Sequence, residues 1–349
     1  MALARRPKKR ASAHERGPGA PVACVCFGEV LWDVFDLDSP ARTSGARFVR
    51  EIGGAPANVA TVLARLGIGV RLVGGVGDDR FGRDMRDALA QEGIDVTHLI
   101  GLPNRTGLAF VRRDASGEPS FLFYRRETAD VSLRSSHVVP ATGHARFALV
   151  GTSTLMTRGL RTATNAFVDA VRLSGGGLVV DLNVRAHMWN DFDEMRARVA
   201  TLVRRAALVK ASGTDLVALG GTLRRGEQWL ADHAPSSVHV HTRGGAGARV
   251  TGPFGTVHVP LPRQGAPCID ATGAGDAFIA GVLAQLVSER AWLGTEAFTN
   301  RRVWQEALTL GHRLGEKAIA KPGAVKGITG LAPLRRALAR IAARLRSQK

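Results

Sequence analysis

Strand-like apolar runs alternate with segments of helical periodicity from about Val22 to Gly330. This alternation is typical of βαβ units, in which helices join parallel strands and cover the sheet that they form. The predicted strands are Val22–Phe27, Val70–Gly74, Phe147–Gly151, Leu178–Leu182, Leu208–Lys210 and Val238–Thr242, and helices are predicted over Asn58–Leu66, Thr162–Leu173, Glu194–Arg204 and Arg302–Ala320. The sequence therefore predicts an α/β fold of three layers, α/β/α, with a mostly parallel central sheet.

Two stretches interrupt this alternation, Phe35–Ile52 and Ile100–Leu133, and both are short, strand-like and rich in turn residues. Within the second stretch, Thr106–Val111 and Ser120–Tyr124 are predicted to form hairpin strands. Segments from two places in the chain can pair into a small sheet over the carboxyl ends of the main strands, where open α/β sheets bind their ligands. We therefore predict a small β-sheet lid, formed from about 35–52 and 100–133, that excludes water from a site beneath it.

The net charge of +18 is concentrated at the two ends of the 349-residue chain. Residues 1–21 carry six Lys or Arg and one Glu, and residues 334–349 carry six Lys or Arg and no acid. Neither end contains the aromatic residues on which nucleic-acid bases stack, which argues against nucleic acid as a partner. We expect residues 1–21 to form a disordered basic tail and residues 334–349 a basic amphipathic helix or tail.

The rest of the chain has the composition of a globular protein, and we expect one large domain at residues 22–333. No apolar run is long enough to span a membrane, and no apolar segment follows the basic N-terminus as in a secretory signal. The three cysteines are too few for a disulfide framework: Cys24 and Cys26 alternate in an apolar strand, and Cys268 stands two residues before Asp270. These features predict a cytoplasmic protein.

A carboxylate follows a glycine-rich turn in the segment Asp270–Phe278, whose sequence is DATGAGDAF. The small residues Gly273, Ala274 and Gly275 let the backbone approach a ligand, and a helical pattern begins after them. A helix N-terminus offers unsatisfied N–H groups and partial positive charge, which favour a phosphate. Asp276 would repel that phosphate, but it suits a base that takes a proton from a hydroxyl while the amides hold the developing charge. The segment indicates phosphoryl transfer, with a helix-capping Asp276 as the alternative interpretation.

Two common nucleotide-binding patterns are absent from the sequence. There is no G-x-x-x-x-G-K-[ST] loop, and no G-x-G-x-x-G follows the first predicted strand. Phosphotransferases of the P-loop type and Rossmann dehydrogenases are therefore disfavoured.

Several motifs together resemble those of the ribokinase-like (PfkB) carbohydrate kinases, over nearly the whole of residues 22–330. Gly53–Ala60 (GGAPANVA) is similar to the sugar-binding signature of that family, and Asp270–Phe278 is similar to its catalytic signature. Between them lie, in the order of the family, Gly77–Gly82, Asp181–Arg185 with Trp189, Lys210–Ser212 and Thr242–Gly247. Each motif is weak alone, but their common order and spacing are specific. The resemblance implies a ribokinase-like fold and ATP-dependent transfer of a phosphoryl group to a sugar.

The resemblance also implies roles for individual positions. Asp276 becomes the base that deprotonates the sugar hydroxyl, and the amides of Gly273, Ala274 and Gly275 form an anion hole. The sugar-binding positions implied in the same way are Asp33, Gly53, Gly54, Asn58, Tyr124 and Arg185. A helix-capping Asn58 and a strand-end Asp33 are the alternative interpretations of these two residues.

The nucleotide and its cations have implied positions as well. Those for the nucleotide are Lys210, Thr242, Gly244 and Gly247. Asp215 is implied to bind Mg²⁺ through water, although the family usually has a Glu there and the carboxylate of Asp215 is one methylene shorter. Asp270 and Thr272 correspond to a monovalent-cation site, for K⁺, in those members that have one.

Within the family, Gly28–Phe35 and Phe121–Arg125 resemble segments of fructokinases, so D-fructose is the predicted substrate. A 2-keto-3-deoxygluconate kinase is the alternative, in which Tyr124 and Arg125 would receive a carboxylate; a buried lid aromatic is the other interpretation of Tyr124. A non-catalytic sugar- or nucleotide-binding protein on the same fold is the alternative from a different class. The expected partners are a sugar and ATP, without a membrane, and a homodimer is left open.

Overall fold

The first strand shows how this sequence builds a layered molecule. Its four residues are all buried: Cys24 and Cys26 pack into a core on one face, and Val25 and Phe27 pack into a second core on the other. Because side chains alternate between the two faces of a strand, an apolar residue at every position means that both faces are covered. The computed structural model describes residues 22–36, 47–113, 119–261 and 268–347.

Thirteen strands lie within these described ranges, nine in a large sheet and four in a small one. In chain order they are β1 (Cys24–Phe27), β2 (Leu31–Asp36), β3 (Phe48–Gly53), β4 (Val70–Gly77), β5 (Leu99–Leu102), β6 (Gly107–Arg113), β7 (Pro119–Tyr124), β8 (Phe147–Gly151), β9 (Gly177–Asp181), β10 (Leu208–Ser212), β11 (Val238–Thr242), β12 (Ala248–Gly252) and β13 (Gly255–Val259). The large sheet has the order β13-β12-β11-β10-β9-β8-β1-β4-β5; the strands from β11 to β5 are parallel, whereas β12 and β13 are antiparallel additions at one edge. The small sheet has the order β3-β2-β6-β7, in which only β2 and β6 pair in parallel.

Helices cover both faces of the large sheet. They are α1 (Ala55–Arg65), α2 (Arg80–Gln91), α3 (Ser135–Val138), α4 (Arg158–Leu173), α5 (Phe192–Val203), α6 (Gly213–Gly220), α7 (Leu223–His233), α8 (Ala274–Ser288), α9 (Arg301–Ile319) and α10 (Ala332–Ser347). The first core contains buried residues of α1, α2, α8, α9 and α10, and the second contains those of α3 to α7. This arrangement confirms the predicted three-layer α/β/α fold with its mostly parallel central sheet.

Two glycines bring α8 and α9 close together. A Cβ atom added to Gly281 would lie 2.9 Å from the Cα of Gly311, and one added to Gly311 would lie 2.9 Å from the ring of Phe278. Contacts this short leave no room for a side chain at either position, so the two helices cross backbone to backbone. This close crossing fixes the N-terminal end of α8 against the body of the molecule.

The small sheet takes strands from both segments that were predicted to form a lid, but its boundaries differ. Its first strand begins at Leu31, before Phe35, and Leu99–Leu102 pairs with β4 in the large sheet instead. The basic tail predicted at residues 1–21 and residues 37–46 of the first lid segment lie outside the described residues. At the other end, α10 is anchored by the buried Leu338 and exposes several arginines. None of the helices in the described ranges combines the length and apolar composition needed to cross a bilayer.

Candidate active site

A cavity of about 1240 Å³ lies at the carboxyl ends of the parallel strands. Residues just beyond β1, β8 and β9 line it, namely Glu29, Thr152 and Asn183, and Phe121 and Phe123 of the small sheet line it as well. This is the edge at which open parallel sheets bind their ligands. The lining includes most of the predicted site residues: Asp33, Gly54, Asn58, Arg185, Lys210, Asp215, Thr242, Gly244, Gly247, Thr272, Gly273, Ala274, Gly275 and Asp276.

The glycine-rich turn before α8 has the conformation that its sequence suggests. Gly273 has a φ of 76°, and a Cβ atom there would lie 2.5 Å from the carbonyl oxygen of Ala324, so only glycine fits. The helix begins at Ala274, and Gly273, Ala274 and Gly275 line the cavity, where the N-terminus of a helix can attract an anion. The N-cap of this helix is Gly273, and Asp276 is the third residue within the helix. The helix-capping interpretation of Asp276 is therefore wrong.

Asn58 and Asp276 join the two signature segments. The Nδ2 of Asn58 donates a hydrogen bond of 2.8 Å to Oδ2 of Asp276, and both side chains are buried. Asn58 lies inside α1, whose N-cap is Gly54, so it is not a helix cap. Burial raises the pKa of Asp276, and the Asn58 hydrogen bond and the charges of Lys210 and Arg185 offset this only in part. A carboxylate with a raised pKa is a better proton acceptor, as a general base requires.

Gly53 makes room for Asp33. Asp33 is the third of six residues in β2, which excludes the strand-end interpretation, and its side chain is buried. A Cβ atom added to Gly53 would lie 2.3 Å from Oδ2 of Asp33, so any side chain there would displace the carboxylate. Burial, together with the nearby charge of Asp276, raises the pKa of Asp33 to about 7. Gly53 itself does not line the cavity, whereas Gly54, with a φ of 100°, does.

Glu29 lines the same end of the cavity, although the sequence analysis gave it no role. It follows β1, and its Oε2 accepts a hydrogen bond from the hydroxyl of Ser153. Its charge contributes to the raised pKa values of Asp33 and Asp276. A polar residue directly after a buried parallel strand was the signal that could have identified it, because such positions meet at the ligand-binding edge.

Two arginines complete this end of the cavity. The Nη1 of Arg185 donates to Oδ1 of Asn183 at 2.5 Å, and its positive charge lowers the pKa values of both neighbouring aspartates. Arg125 is buried, and its Nε and Nη2 lie 2.7 and 2.6 Å from Oδ2 of Asp130. The guanidinium of Arg125 therefore reaches the cavity with its charge already balanced by Asp130.

Tyr124 lies on the other face of the small sheet, and its predicted substrate contact is wrong. Its side chain is 57% exposed and meets the ring of Phe110 edge-on, with ring centroids 5.4 Å apart. Phe121 and Phe123 of the same strand face the cavity instead. Because neighbouring side chains point to opposite faces of a strand, Tyr124 and Phe123 cannot both face the ligand. The exposure of Tyr124 also excludes a buried lid aromatic.

A buried ion pair stands beside the N-terminus of α8. The Nζ of Lys210 lies 3.0 Å from Oδ1 and 3.2 Å from Oδ2 of Asp181. A Cβ atom added to Gly275 would be 2.9 Å from this ammonium group, which therefore lies against the first turn of the helix. Burial raises the pKa of Asp181 to about 6, even though the charge of Lys210 lowers it.

Asp215 is held by the backbone around it. Its Oδ1 accepts a hydrogen bond of 2.6 Å from the amide of Val184, and its Oδ2 accepts from the amide and the hydroxyl of Ser212, both at 2.7 Å. These contacts close the N-terminus of α6 as a capping box and tie it to the segment after β9. Within the described ranges, no group of three or more His, Cys, Asp or Glu side chains is arranged to hold a metal ion.

The far end of the cavity is formed by the turn after β11 and by one side of α9. Thr242, Gly244 and Gly247 all line it, and a Cβ atom on Gly247, whose φ is 88°, would lie 2.3 Å from the carbonyl oxygen of Val259. The residues of α9 that line the cavity, which were not predicted from the sequence, are His312, Gly315, Glu316 and Ile319. Residues 312, 315, 316 and 319 are related by steps of three or four along the helix, which places them on one side of it, toward the cavity.

Asp270 and Thr272 precede the glycine-rich turn, and of the two only Thr272 lines the cavity. The amides of Thr272 and Gly323 donate to the two carboxylate oxygens of Asp270 at 3.0 and 2.7 Å. The hydroxyl oxygen of Thr272 is buried and has no hydrogen-bond partner among the described residues. Buried polar atoms are nearly always paired, so an unpaired oxygen beside a carboxylate fits a bound cation.

Comparison with known proteins agrees with this geometry. The model of the pfkB family carbohydrate kinases matches residues 23–329. A probable fructokinase-4 from Arabidopsis thaliana is 30% identical over 314 residues, which cover 87% of this chain and 93% of the relative. A fructokinase from Klebsiella pneumoniae is 34% identical over 239 residues, which cover 68% of this chain and 77% of that protein.

Solved structures show the same similarity. A fructokinase from Xylella fastidiosa with bound ATP superposes with a TM-score of 0.81 at 26% identity, covering 92% of this chain and 99% of that one. A fructokinase from Vibrio cholerae O395, bound to fructose, ADP and a calcium ion, gives a TM-score of 0.78 at 30% identity over 91% of this chain and 99% of that one. The match of the family model over most of the chain, together with these relatives, shows that the chain belongs to the pfkB family of carbohydrate kinases and is a phosphotransferase that acts on a sugar hydroxyl.

Proposed function

We propose that this kinase is a fructokinase, which transfers the γ-phosphoryl group of ATP to D-fructose. The observation that carries the proposal is the set of hydrogen-bond acceptors at one end of the cavity, where Glu29, Asp33 and Asp276 stand with the amide of Asn58. Carboxylates bind neutral polyols by accepting hydrogen bonds from adjacent hydroxyls. The fructokinases among the similar proteins support the same choice of sugar.

The same residues argue against an acidic sugar such as 2-keto-3-deoxygluconate. A substrate carboxylate would meet three protein carboxylates, and like charges at close range are unfavourable. Of the two arginines that could offset this, Arg125 is already paired with Asp130. Of these two arginines, only Arg185 remains to attract an anion, and it also balances the charges of Asp33 and Asp276.

In the proposed mechanism, Asp276 accepts the proton of the attacking hydroxyl while Asp33 and Asn58 hold the sugar in place. The carboxylate of Asp276 is fixed by Asn58 in the first turn of α8, so the base and the amides of the anion hole approach the reaction from one helix end. Those amides, from Gly273 to Gly275, stabilise the charge on the phosphoryl oxygens as it is transferred. Phe121 and Phe123 border the sugar and exclude water.

Two cations are part of the proposal. Mg²⁺ bound to the nucleotide would neutralise phosphate charge, and Asp215 lines the cavity where its water ligands would lie, although both of its oxygens already accept hydrogen bonds from the protein. For K⁺, the unpaired Thr272 hydroxyl and the adjacent Asp270 carboxylate supply oxygen donors. Lys210, Thr242, Gly244 and Gly247 are proposed to contact the nucleotide.

A substrate panel tests this proposal. ADP release from Mg-ATP is measured with D-fructose, 2-keto-3-deoxygluconate, ribose, tagatose, adenosine and aminoimidazole riboside, the last because a structurally similar kinase from Salmonella enterica was solved in complex with it. The expected result is the highest kcat/KM with D-fructose. A higher kcat/KM with any other member of the panel refutes fructose as the substrate and replaces it with that compound.

A further inference from the structure

Asp181 and Lys210 form a charged pair where the surrounding sequence is apolar. Asp181 ends β9, Lys210 lies in the adjacent parallel strand β10, and the two residues are direct partners in the register of the sheet. The exposed fractions of the Lys210 and Asp181 side chains are 6% and 3%. The residues that precede each of them in its strand are buried and apolar. The pair thus departs from the pattern of both strands.

Stability does not explain this pair. Removing an ammonium and a carboxylate from water costs several kcal/mol per ion in order of magnitude, and two apolar residues in the same places are often equally stabilising. Departures from a consistent pattern of this kind are expected at functional sites. The pair is therefore better understood through what lies next to it.

The ammonium group of Lys210 lies where the helix dipole disfavours it. A Cβ atom added to Gly275 in the first turn of α8 would lie 2.9 Å from it, and the partial positive charge of a helix N-terminus repels a cation. Two positive features thus meet at one point of the cavity, and Asp181, which also lines the cavity, is hydrogen-bonded to one of them, the Lys210 ammonium. An anion that enters the cavity there would be attracted by both features, and the transferred phosphoryl group is such an anion.

We propose that Asp181 is a positioning residue for phosphoryl transfer, which acts by holding the ammonium of Lys210 against the first turn of α8, where it stabilises the transferred phosphoryl group. The inference rests on the proposed function. In the reaction, the sugar oxygen bonds to the γ-phosphorus, the bond from that phosphorus to the bridging oxygen breaks, and ADP leaves with the electron pair. The hydroxyl proton goes to Asp276. Lys210 exchanges no proton and contributes only its charge.

Asp181 acts on Lys210 in two ways. Its two hydrogen bonds fix the direction of a flexible side chain, which leaves the ammonium preorganised for the phosphoryl group. Burial lowers the pKa of Lys210, but the charges of Asp181 and Asp215 outweigh this effect and raise it, so the side chain stays charged. Removal of Asp181 therefore affects both the position of the ammonium and its protonation.

A double-mutant cycle tests the inference with Asp181→Asn, Lys210→Met and the double variant. For each protein, kcat and KM are measured for ATP and for the best sugar of the panel, together with the melting temperature. We expect K210M to lower kcat about 10²- to 10³-fold, as the loss of one preorganised charge donor does. D181N should lower kcat by up to about 100-fold, which is the effect of a misplaced catalytic group, at nearly unchanged KM for the sugar.

The double variant decides between positioning and an independent role. If Asp181 acts through Lys210, the double variant loses no more kcat than K210M alone. The inference would be overturned if the fold-losses in kcat of the two single variants multiplied in the double variant. It would also be overturned if D181N kept the wild-type kcat. In addition, the alkaline limb of the kcat–pH profile should move to lower pH in D181N, because the pKa of Lys210 falls when the carboxylate is removed. An unmoved limb contradicts the inference as well.

Asp95→Asn is the matched control, since it breaks the ion pair of Arg71 and Asp95, which are 2.8 Å apart and outside the cavity, and it should leave kcat unchanged. If D181N does not fold, Asp181→Glu replaces it, because this change moves the carboxylate by one methylene. The inference then requires a lower kcat together with unchanged ATP binding by calorimetry. A wild-type kcat in this variant overturns it. A wild-type chain that phosphorylates no sugar would refute the proposed function. A wild-type chain with turnover and a multiplicative cycle would refute only this inference.

Discussion

The amide of Asn58 donates a 2.8 Å hydrogen bond to the carboxylate of Asp276 across 218 residues of sequence. Asn58 lies in the first turns of α1 and Asp276 in the first turn of α8, so the bond joins the N-terminal ends of two helices at one point of the cavity. A base held in this way does not have to be ordered when substrate arrives, which favours the reactive geometry.

Replacement of Asp276 by Asn should abolish turnover and spare binding. The new amide oxygen can still accept the hydrogen bond from Asn58, so the site keeps its shape while it loses its proton acceptor. We expect kcat to fall at least about 10²- to 10⁴-fold, the usual contribution of a general base. Calorimetry should find nearly unchanged affinities for ATP and for the sugar. Wild-type-like turnover by D276N would refute the mechanism.

Replacement of Gly53 by Ala should impair sugar binding through Asp33. The new methyl group would lie 2.3 Å from Oδ2 of Asp33 and must displace that carboxylate. Since misplacement by 1 Å can cost about 100-fold, kcat/KM for the sugar should fall by up to about that factor, with an unchanged KM for ATP. Gly159→Ala in α4 is the control, because an added Cβ there meets nothing within 4 Å, and its kinetics should match the wild type.

The stability of the protein should depend on pH through Asp33. Its pKa is about 7 in the folded protein and 3.8 as the reference, so the folded state binds more protons between these values and stability falls as the pH rises through them. The Asp33→Asn variant has no carboxyl group at this position, so it does not lose stability in this way. Chemical unfolding should therefore show that D33N gains stability relative to the wild type between about pH 5 and pH 8. The contribution of Asp33 is on the order of a few kcal/mol.

Asp95→Asn again supplies the control for this measurement. Burial alone would raise the pKa of Asp95, but hydrogen bonds from Thr97 and the nearby Arg71 outweigh this effect and lower the pKa. The stability that Asp95 contributes is lost only when the pH falls below the ordinary pKa of an aspartate. The difference in the free energy of unfolding between D95N and the wild type should therefore stay constant from about pH 5 to pH 8. A flat difference for D33N over the same range would contradict the prediction for Asp33.

Thr272→Val should remove a response of the protein to K⁺. In buffer without K⁺, the variant should be more stable than the wild type, because leaving a buried hydroxyl unpaired costs about 1–3 kcal/mol. On replacing choline chloride with KCl, the melting temperature of the wild type should rise, and that of the variant should not. Thr154→Val, which removes a hydroxyl bonded to the Gly151 carbonyl oxygen, should be destabilised equally in both salts. Equal melting temperatures of the wild type in both salts would exclude the site.

Those features of the fold that depend on local pattern were predictable from the sequence. β1 and β8 are fully buried apolar runs within the predicted ranges, β11 has its predicted bounds, and the turn before α8 follows from Gly273. The β12–β13 hairpin and the position of Leu99–Leu102 at the other edge of the sheet were not predicted. Both are short strands whose place depends on partners elsewhere in the chain, and no local pattern encodes a partner.

In the site as well, the correct predictions rest on local sequence pattern, and the wrong ones concern features that depend on the rest of the fold. In Phe121–Tyr124 all four residues are apolar or aromatic, so no alternation in the sequence indicated which of them face the cavity. The contact of Glu29 with Ser153, which are 124 residues apart, is likewise tertiary. The segment containing Asp181 was recognised, but its partnership with Lys210 follows only from the register of β9 and β10.

Asp33 belongs to the small sheet and Asp276 to a helix on the large sheet, yet both face one cavity. A molecule that engages both carboxylates must therefore reach from one sheet to the other. A sugar carries hydroxyl groups on several carbons and can therefore donate hydrogen bonds to both carboxylates at once. A bound sugar would in this way tie the small sheet to the large one through its own hydroxyl groups.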